Sequence, residues 1–326
     1  MPIKPFFNSC RTAHDFLISL LYSISYTSGP TYYFSKPGSL LELGYVFSTL
    51  DIPSIFNISA PDVLLINKAK KIVLAIDCKS DTVDPDNIVR KFGYEFQEAI
   101  RVLLRDDAKE FRMEFGVFTF EKYVRDFENI VMQIRSNTTY ELFIWYTTER
   151  PLFIPDENAQ AFFIRKYFSN SFHYNHCDNI LDDYLTNGII IREDQIRCNN
   201  LADKDAERPA VFYEVSLFLF QRAIQKPGET IFLGKLIDEI KANYQSPVSR
   251  RVLIGVIRDI IEVFPQIAEL EEKSMLVKFK KQKLKNFNIE EFQSIRQKVL
   301  YMNEKEYYEF IKNLKREKKE KKQAKT

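Results

Sequence analysis

Three charged side chains stand at the ends of two apolar runs in "APDVLLINKAKKIVLAIDCKSD", residues 60–81: Asp62 opens the first run, and Asp77 and Lys79 close the second. A charge on a buried strand is unfavourable unless it is paired, so two carboxylates and an ammonium in one place need a common reason. A divalent cation supplies one. Mg²⁺ takes a few carboxylate oxygens and keeps several waters, and a neighbouring lysine can hold a water or a phosphate oxygen. These groups together suffice for metal-assisted hydrolysis of a phosphodiester.

The elements that must position them follow from apolar periodicity. Phe16, Leu17, Leu20, Leu21 and Ile24 share one face of a first helix. Ser28 to Pro30 reads as a turn, and residues 36–50 read as a helix with Leu40, Leu43 and Phe47 on one face, Glu42 beside it, and Asp51 to Pro53 as its stop. Phe56–Asn67 and Lys71–Lys79 then form two strands joined by "NKAKK". A long helix runs from Asp84 to about Leu104 with Val89, Phe92, Phe96 and Ile100 inward. The runs "FRMEFGVFTF" and "YELFIWYTT" add further strands, so residues 1–150 read as an α/β domain, a mixed sheet flanked by helices. Residues 151–209 are less regular and read as a peripheral extension or linker.

At this point the residues carry a resemblance. Pro61-Asp62, fourteen residues, then Asp77-Cys78-Lys79 at the end of the next strand resembles the PD-(D/E)xK nucleases, the restriction-endonuclease-like superfamily. Pro-Asp also occurs at 85 and 155, and D/E-x-K at 107, 239, 271, 317 and 320, but only the 62/77/79 set joins two adjacent apolar strands between helices. The resemblance covers about residues 36–120 and lacks the QxxxY pattern of the RecB-like branch. It implies Asp62 and Asp77 as ligands of Mg²⁺, with Mn²⁺ as a substitute, Lys79 as the catalytic lysine, and Glu42 as a further carboxylate from the preceding helix. Edge-strand caps, or a degenerate nuclease fold used only for binding, are the alternative readings of the same residues.

From Ala210 a second pattern begins. Val211–Gln225, "TIF", Leu233–Tyr244, Ser249–Phe264 and "IAELEEKSMLVKFK", the last a β-hairpin or a single wing strand, give helix, strand, helix, helix and wing, the order of a winged helix-turn-helix domain over 210–285. Residues 286–326 follow as a charged, basic helical tail. Residues 1–272 hold 30 basic and 38 acidic side chains, whereas 273–326 hold 17 and 7. A basic end on an acidic body suits a polyanionic partner. Ser249, Arg250, Arg251 and Arg258 lie off the apolar face of the third helix, and Lys278, Lys280 and Lys281 lie along the wing, as expected for contacts to DNA. RNA is the alternative substrate, and cutting both strands of a duplex would call for a homodimer.

The remaining signals are weaker. His173, His176 and Cys177 have metal-like spacing without a completing cluster, so packing is the favoured reading, and His14 reads as a helix-surface residue. The four cysteines form no CxxC pair and read as reduced thiols of a cytoplasmic protein. No run reaches the roughly 20 apolar residues of a membrane span. GxGxxG, Walker A and GxSxG patterns do not occur, which removes support for dinucleotide, P-loop and serine-hydrolase functions. A noncatalytic DNA-binding regulator remains the alternative to a metal-dependent endonuclease.

Overall fold

In the computed structural model, which describes residues 10, 12–25, 39–48, 59–82, 84–104, 110–154, 157–196, 198–202, 206–280 and 287–323, the first helix starts at a reciprocal cap. Asp15 Oδ2 accepts from the Thr12 backbone N–H at 3.0 Å, and Thr12 Oγ1 accepts from the Asp15 N–H at 3.0 Å. This cap sets the start of α1 (Ala13–Ser25) and puts His14 in its first turn. Residues 36–50 do not form one helix. The four residues of α2 (Ser39–Glu42) lead through Gly44, at φ +88°, into β1 (Val46–Ser48). A positive φ is a conformation that glycine adopts freely, and it ends the helix there. The turns expected at Ser28–Pro30 and Asp51–Pro53, and the strand start at Phe56, lie outside the described residues.

β2 (Val63–Asn67) and β3 (Ile72–Lys79) form the expected antiparallel pair. The expected long helix is two: α3 (Pro85–Lys91), capped by Asp84 with Pro85 at its first position, and α4 (Tyr94–Leu104). They break at Phe92–Gly93, where glycine lowers helix propensity and the Gln97 side chain donates to the freed Phe92 carbonyl at 3.0 Å. Then follow β4 (Arg112–Phe120), α5 (Val124–Asn137), β5 (Leu142–Ile154), β6 (Glu157–Lys166), α6 (Asn179–Asn187) and β7 (Ile189–Arg192). The seven strands form one sheet in the order β1-β2-β3-β4-β5-β6-β7, parallel at β3/β4/β5 and antiparallel elsewhere. The first unit is therefore α/β, a mixed sheet flanked by helices. Its extent is residues 1–199, so the break expected at 150 falls inside β5, and of the stretch read as a peripheral extension or linker, residues 151–199 belong to this unit and supply two strands and a helix.

Alternation along the strands divides the core into two faces. Leu64, Ile66, Val73, Ala75, Phe115 and Val117 meet Ile88, Phe92, Phe96 and Ile100 of α3 and α4 and Phe127 of α5. On the opposite face Phe16 of α1 packs against Phe120 and Phe162, with ring centroids 6.4 and 5.1 Å apart. Gly116 points to that second face, where a Cβ would stand 2.2 Å from the Phe143 ring. Gly116→Ala is accordingly expected to destabilise the protein by about 1–3 kcal/mol through overpacking. An unchanged urea midpoint would show that the Phe143 ring moves aside without penalty.

Cys10 and Cys198 are joined by a disulfide, and Cys78 and Cys177 are free. The reading of four reduced thiols is thus corrected: the two bonded cysteines are 188 residues apart, a pairing set by the fold and by no local spacing. Disulfides persist mainly in oxidising compartments, so cysteine usage no longer argues for the cytoplasm. No helix among the described residues is long and apolar enough to cross a membrane.

The second unit, residues 200–326, comprises α7 (Arg208–Gln225), β8 (Thr230–Phe232), α8 (Leu233–Tyr244), α9 (Arg250–Val263), β9 (Ala268–Glu271), β10 (Leu276–Phe279), α10 (Ile289–Leu300) and α11 (Glu304–Gln323). The strands form an antiparallel sheet in the order β8-β10-β9. Helical spacing brings Val211, Val215 and Leu219 of α7 against Leu236 and Ile240 of α8 and Leu253, Val256, Ile257 and Ile260 of α9. Arg222, 8% exposed, is held by Glu229 and Glu239, and Arg296, 3% exposed, donates to the Tyr213 carbonyl and to Ser216.

Candidate active site

Strand register brings the two aspartates together. Val63 pairs with Ile76 across the hairpin, so Asp62, one residue earlier, stands opposite Asp77, one residue later. Directly opposed residues share a face, and Lys79 shares it as well because it is two residues beyond Asp77. This is the face covered by α3, and Lys91 from the last turn of that helix reaches the same point. Asp77 is fully buried and Asp62 nearly so.

Asp62 Oδ2 accepts from the Cys78 backbone N–H at 2.8 Å and lies 3.1 Å from His14 Nε2. Lys79 Nζ is 2.8 Å from Asp77 Oδ2, whereas Lys91 Nζ binds Asp77 Oδ1 and lies 3.7 Å from Asp62 Oδ1. Lys79 Nζ is the ion-pair partner of Asp77 Oδ2, but this buried oxygen receives no well-aligned hydrogen bond. Thr119 Oγ1 donates to the Lys79 carbonyl at 2.7 Å and holds the end of β3 against β4.

The two carboxyls respond in opposite directions. Burial would raise Asp62, but the hydrogen bond from His14 and the charges of Lys91 and Lys79 hold it well below the usual carboxylate range. Asp77 is pushed up to about 6, first by burial and then by the charge of Asp62. Burial would lower the Lys91 ammonium, yet Asp62 and Asp77 together keep it above the usual lysine range. Two adjacent carboxyls driven apart in this way are a common feature of functional sites.

Among the described residues no group of three or more His, Cys, Asp and Glu side chains is disposed to hold a metal ion. Two carboxylates, one with a buried, under-partnered oxygen, fit the smaller demand of Mg²⁺, which retains waters and binds through one or two carboxylates.

Glu42 does not join this centre. It is exposed, and α2 abuts the far end of β2, where Asn67 Nδ2 donates to the Leu43 carbonyl at 2.9 Å. Asn67 and Asp62 are five residues apart along a strand, about 17 Å at ~3.4 Å per residue. Glu42 is thus kept from the centre because the helix ends at this residue and Gly44 turns the chain into β1. His14 takes a place there instead, from α1 on the other face of the sheet, and it is not the isolated surface residue that its sequence context suggests. Lys91 was not singled out either. The available signal was its position about two turns after the Asp84-Pro85 start of α3, but that placement becomes informative only once the break at Gly93 is known.

His176 belongs to a separate buried network. Trp145 Nε1 donates to His176 Nε2 at 2.9 Å, so Nδ1 carries the proton toward Glu114 Oε2, 2.6 Å away. The Cys177 backbone N–H donates to the other Glu114 oxygen at 2.9 Å. These bonds draw Glu114 below the usual range although burial opposes them. Both ring nitrogens of His176 are thus taken up, one by Trp145 and one by Glu114.

In the second unit the expected nucleic-acid contacts separate into two kinds. Ser249 caps α9, its Oγ accepting from the Val252 N–H at 3.4 Å. Arg250 pairs with Asp238, Arg258 with Glu272 at 2.7 Å, and Lys280 with Glu269 at 3.0 Å. A cleft of about 340 Å³ beside α9 is lined by Arg258 and Lys280 but also by Glu262, Glu269 and Glu272, so it is no anion pocket. Arg251 and Lys278 are exposed and make no ion pair among the described residues, and Lys281 lies outside the described residues.

Comparison with family models, with curated proteins and with solved structures finds no match for the chain.

Proposed function

We propose that the first unit is a metal-dependent nuclease of the PD-(D/E)xK kind, hydrolysing phosphodiester bonds of DNA, with the second unit holding the substrate. The observation that carries this reading is the cross-strand placement of Asp62 and Asp77, with Asp77 Oδ2 buried and lacking an aligned donor. Asp62 and Asp77 would hold Mg²⁺ or Mn²⁺, which when bound polarises the phosphate and lowers the pKa of a water. Lys79 orients the nucleophile or a phosphate oxygen at the mouth of the pair, and Thr119 fixes the strand end from which it projects. His14 and the Cys78 N–H lock the Asp62 carboxylate in one orientation and keep it ionised.

The order α7, β8, α8, α9, β9, β10 is that of a winged helix, with α9 as the helix offered to the groove and β9–β10 as the wing. Arg251 and Lys278 are the contacts favoured for phosphate, since Arg250, Arg258 and Lys280 would first have to leave exposed carboxylates. Such exposed pairs contribute only about 0–1 kcal/mol each and can be exchanged for phosphate. RNA is the alternative substrate, and a homodimer would supply the second cut in a duplex.

A second reading, a noncatalytic DNA-binding protein with a degenerate centre, is favoured by Lys91, which already bridges the two carboxylates. The test incubates the full chain with supercoiled plasmid and with branched and linear DNA, in Mg²⁺, Mn²⁺ or chelator. Metal-dependent nicking supports the nuclease; binding of DNA with no cutting under any condition supports the second reading.

A further inference from the structure

Lys91 stands where a shared cation would stand. Of the four carboxylate oxygens in the centre, Asp62 Oδ2 is engaged by the Cys78 N–H and His14, and Asp77 Oδ2 has Lys79 beside it. The two Oδ1 atoms, one from each aspartate, are bridged by the Lys91 ammonium. Among the described residues the ion pair of Lys79 is with Asp77, whereas Lys91 pairs with both aspartates, so the two lysines are not equivalent. An ammonium and a divalent ion cannot both occupy one gap between two carboxylates, because their charges repel and each needs the same oxygens.

The lysine is also placed to leave. It is the last residue of a seven-residue helix that stops at Phe92–Gly93, and 14% of its side chain reaches solvent. A four-carbon stem anchored at such an end can swing its head group outward without moving the backbone. The charged groups around it are Asp62, Asp77 and Lys79, and its ion pairs with the two aspartates hold it inward.

We propose that Lys91 is an exchangeable internal counter-ion: in the metal-free protein its ammonium holds Asp62 and Asp77 together, and loading of a divalent cation displaces it toward solvent and the substrate phosphate. This inference rests on reading the two aspartates as metal ligands. It makes metal affinity a competition within the chain, so that removing the competitor, and with it a positive charge that repels the cation, must strengthen metal binding. In the degenerate reading the same lysine stays in place and no such competition exists.

The test measures Mn²⁺ binding to the full-length protein by calorimetry, with Lys91→Met beside the wild type. Methionine keeps much of the stem and removes the charge. Lys91→Met is expected to bind Mn²⁺ roughly 10- to 100-fold more tightly, the range for releasing one charge-assisted hydrogen-bonded contact. Equal or weaker binding by the variant, with the wild type binding normally, overturns the counter-ion role and leaves the aspartates as ligands. No binding by either protein overturns both readings. A second measurement needs no substitution: acylation of lysines in the wild type, followed by mass spectrometry, is expected to label Lys91 more strongly with saturating Mg²⁺ than with chelator. Unchanged labelling overturns the displacement.

Discussion

Asp77→Asn is expected to abolish metal-dependent cutting, by roughly 10²- to 10³-fold or more, while leaving a folded protein. The substitution keeps the size of the side chain and removes one of the two carboxylates that the described residues bring to the centre. Its stability effect is moderated by two opposing terms. Lys79 and Lys91 lose a partner, but the cost of burying a charge and the repulsion from Asp62, which together raise Asp77, are relieved as well. Asp77→Ala lacks even a polar acceptor, and breaking a buried ion pair in this way typically costs about 3–5 kcal/mol; the low end is expected because Asp62 remains for Lys91. Plasmid nicking in Mg²⁺ and urea denaturation of both variants check the pair of expectations. Wild-type cutting rates in Asp77→Asn would remove Asp77 from the chemistry.

The largest stability effect is expected away from that centre, at Trp145. Its indole is fully buried, lies 5.0 Å from the Phe143 ring and gives its N–H to His176. Trp145→Ala removes a large ring from a closed core and should cost about 3–5 kcal/mol. Trp145→Phe keeps most of the ring but leaves the buried His176 Nε2 without its donor, a penalty of about 1–3 kcal/mol. Trp145 is the single tryptophan of the chain, so unfolding has to be followed by far-UV circular dichroism. If the phenylalanine variant matches the wild type, the indole hydrogen bond contributes nothing and His176 is satisfied elsewhere.

The parts of the structure that were legible in the sequence are those in which local pattern and tertiary role agree. The hairpin β2–β3 is apolar on both faces and bounded by charges, and its register follows from a short turn, so the convergence of Asp62, Asp77 and Lys79 could be anticipated. The helices α7 to α9 repeat apolar residues at helical spacing, and their observed bounds lie within a few residues of those expected. What could not be read depended on single residues or on distant packing. Leu40, Leu43 and Phe47 mimic a helical stripe, yet Gly44 turns the chain and Tyr45 and Phe47 become the inward residues beside and within a three-residue strand, too short for alternation to register. Glu42 was carried away from the centre by that turn. His14 and Lys91 reach Asp62 from helices on opposite faces of the sheet, and no spacing in the chain encodes that meeting.

The Cys10–Cys198 bond turns almost all of the first unit into a covalent ring, whose closure lies four residues before His14 and one residue before the unit ends. A protease that nicks any loop between the two cysteines therefore leaves the pieces attached. The nicked chain is expected to migrate as one species without reductant and to separate into fragments with it. In the intact ring, the strand end that carries Asp77 and the helix that carries His14 stay on one tether through such damage, so a cut in a surface loop need not disperse the groups that make up the centre.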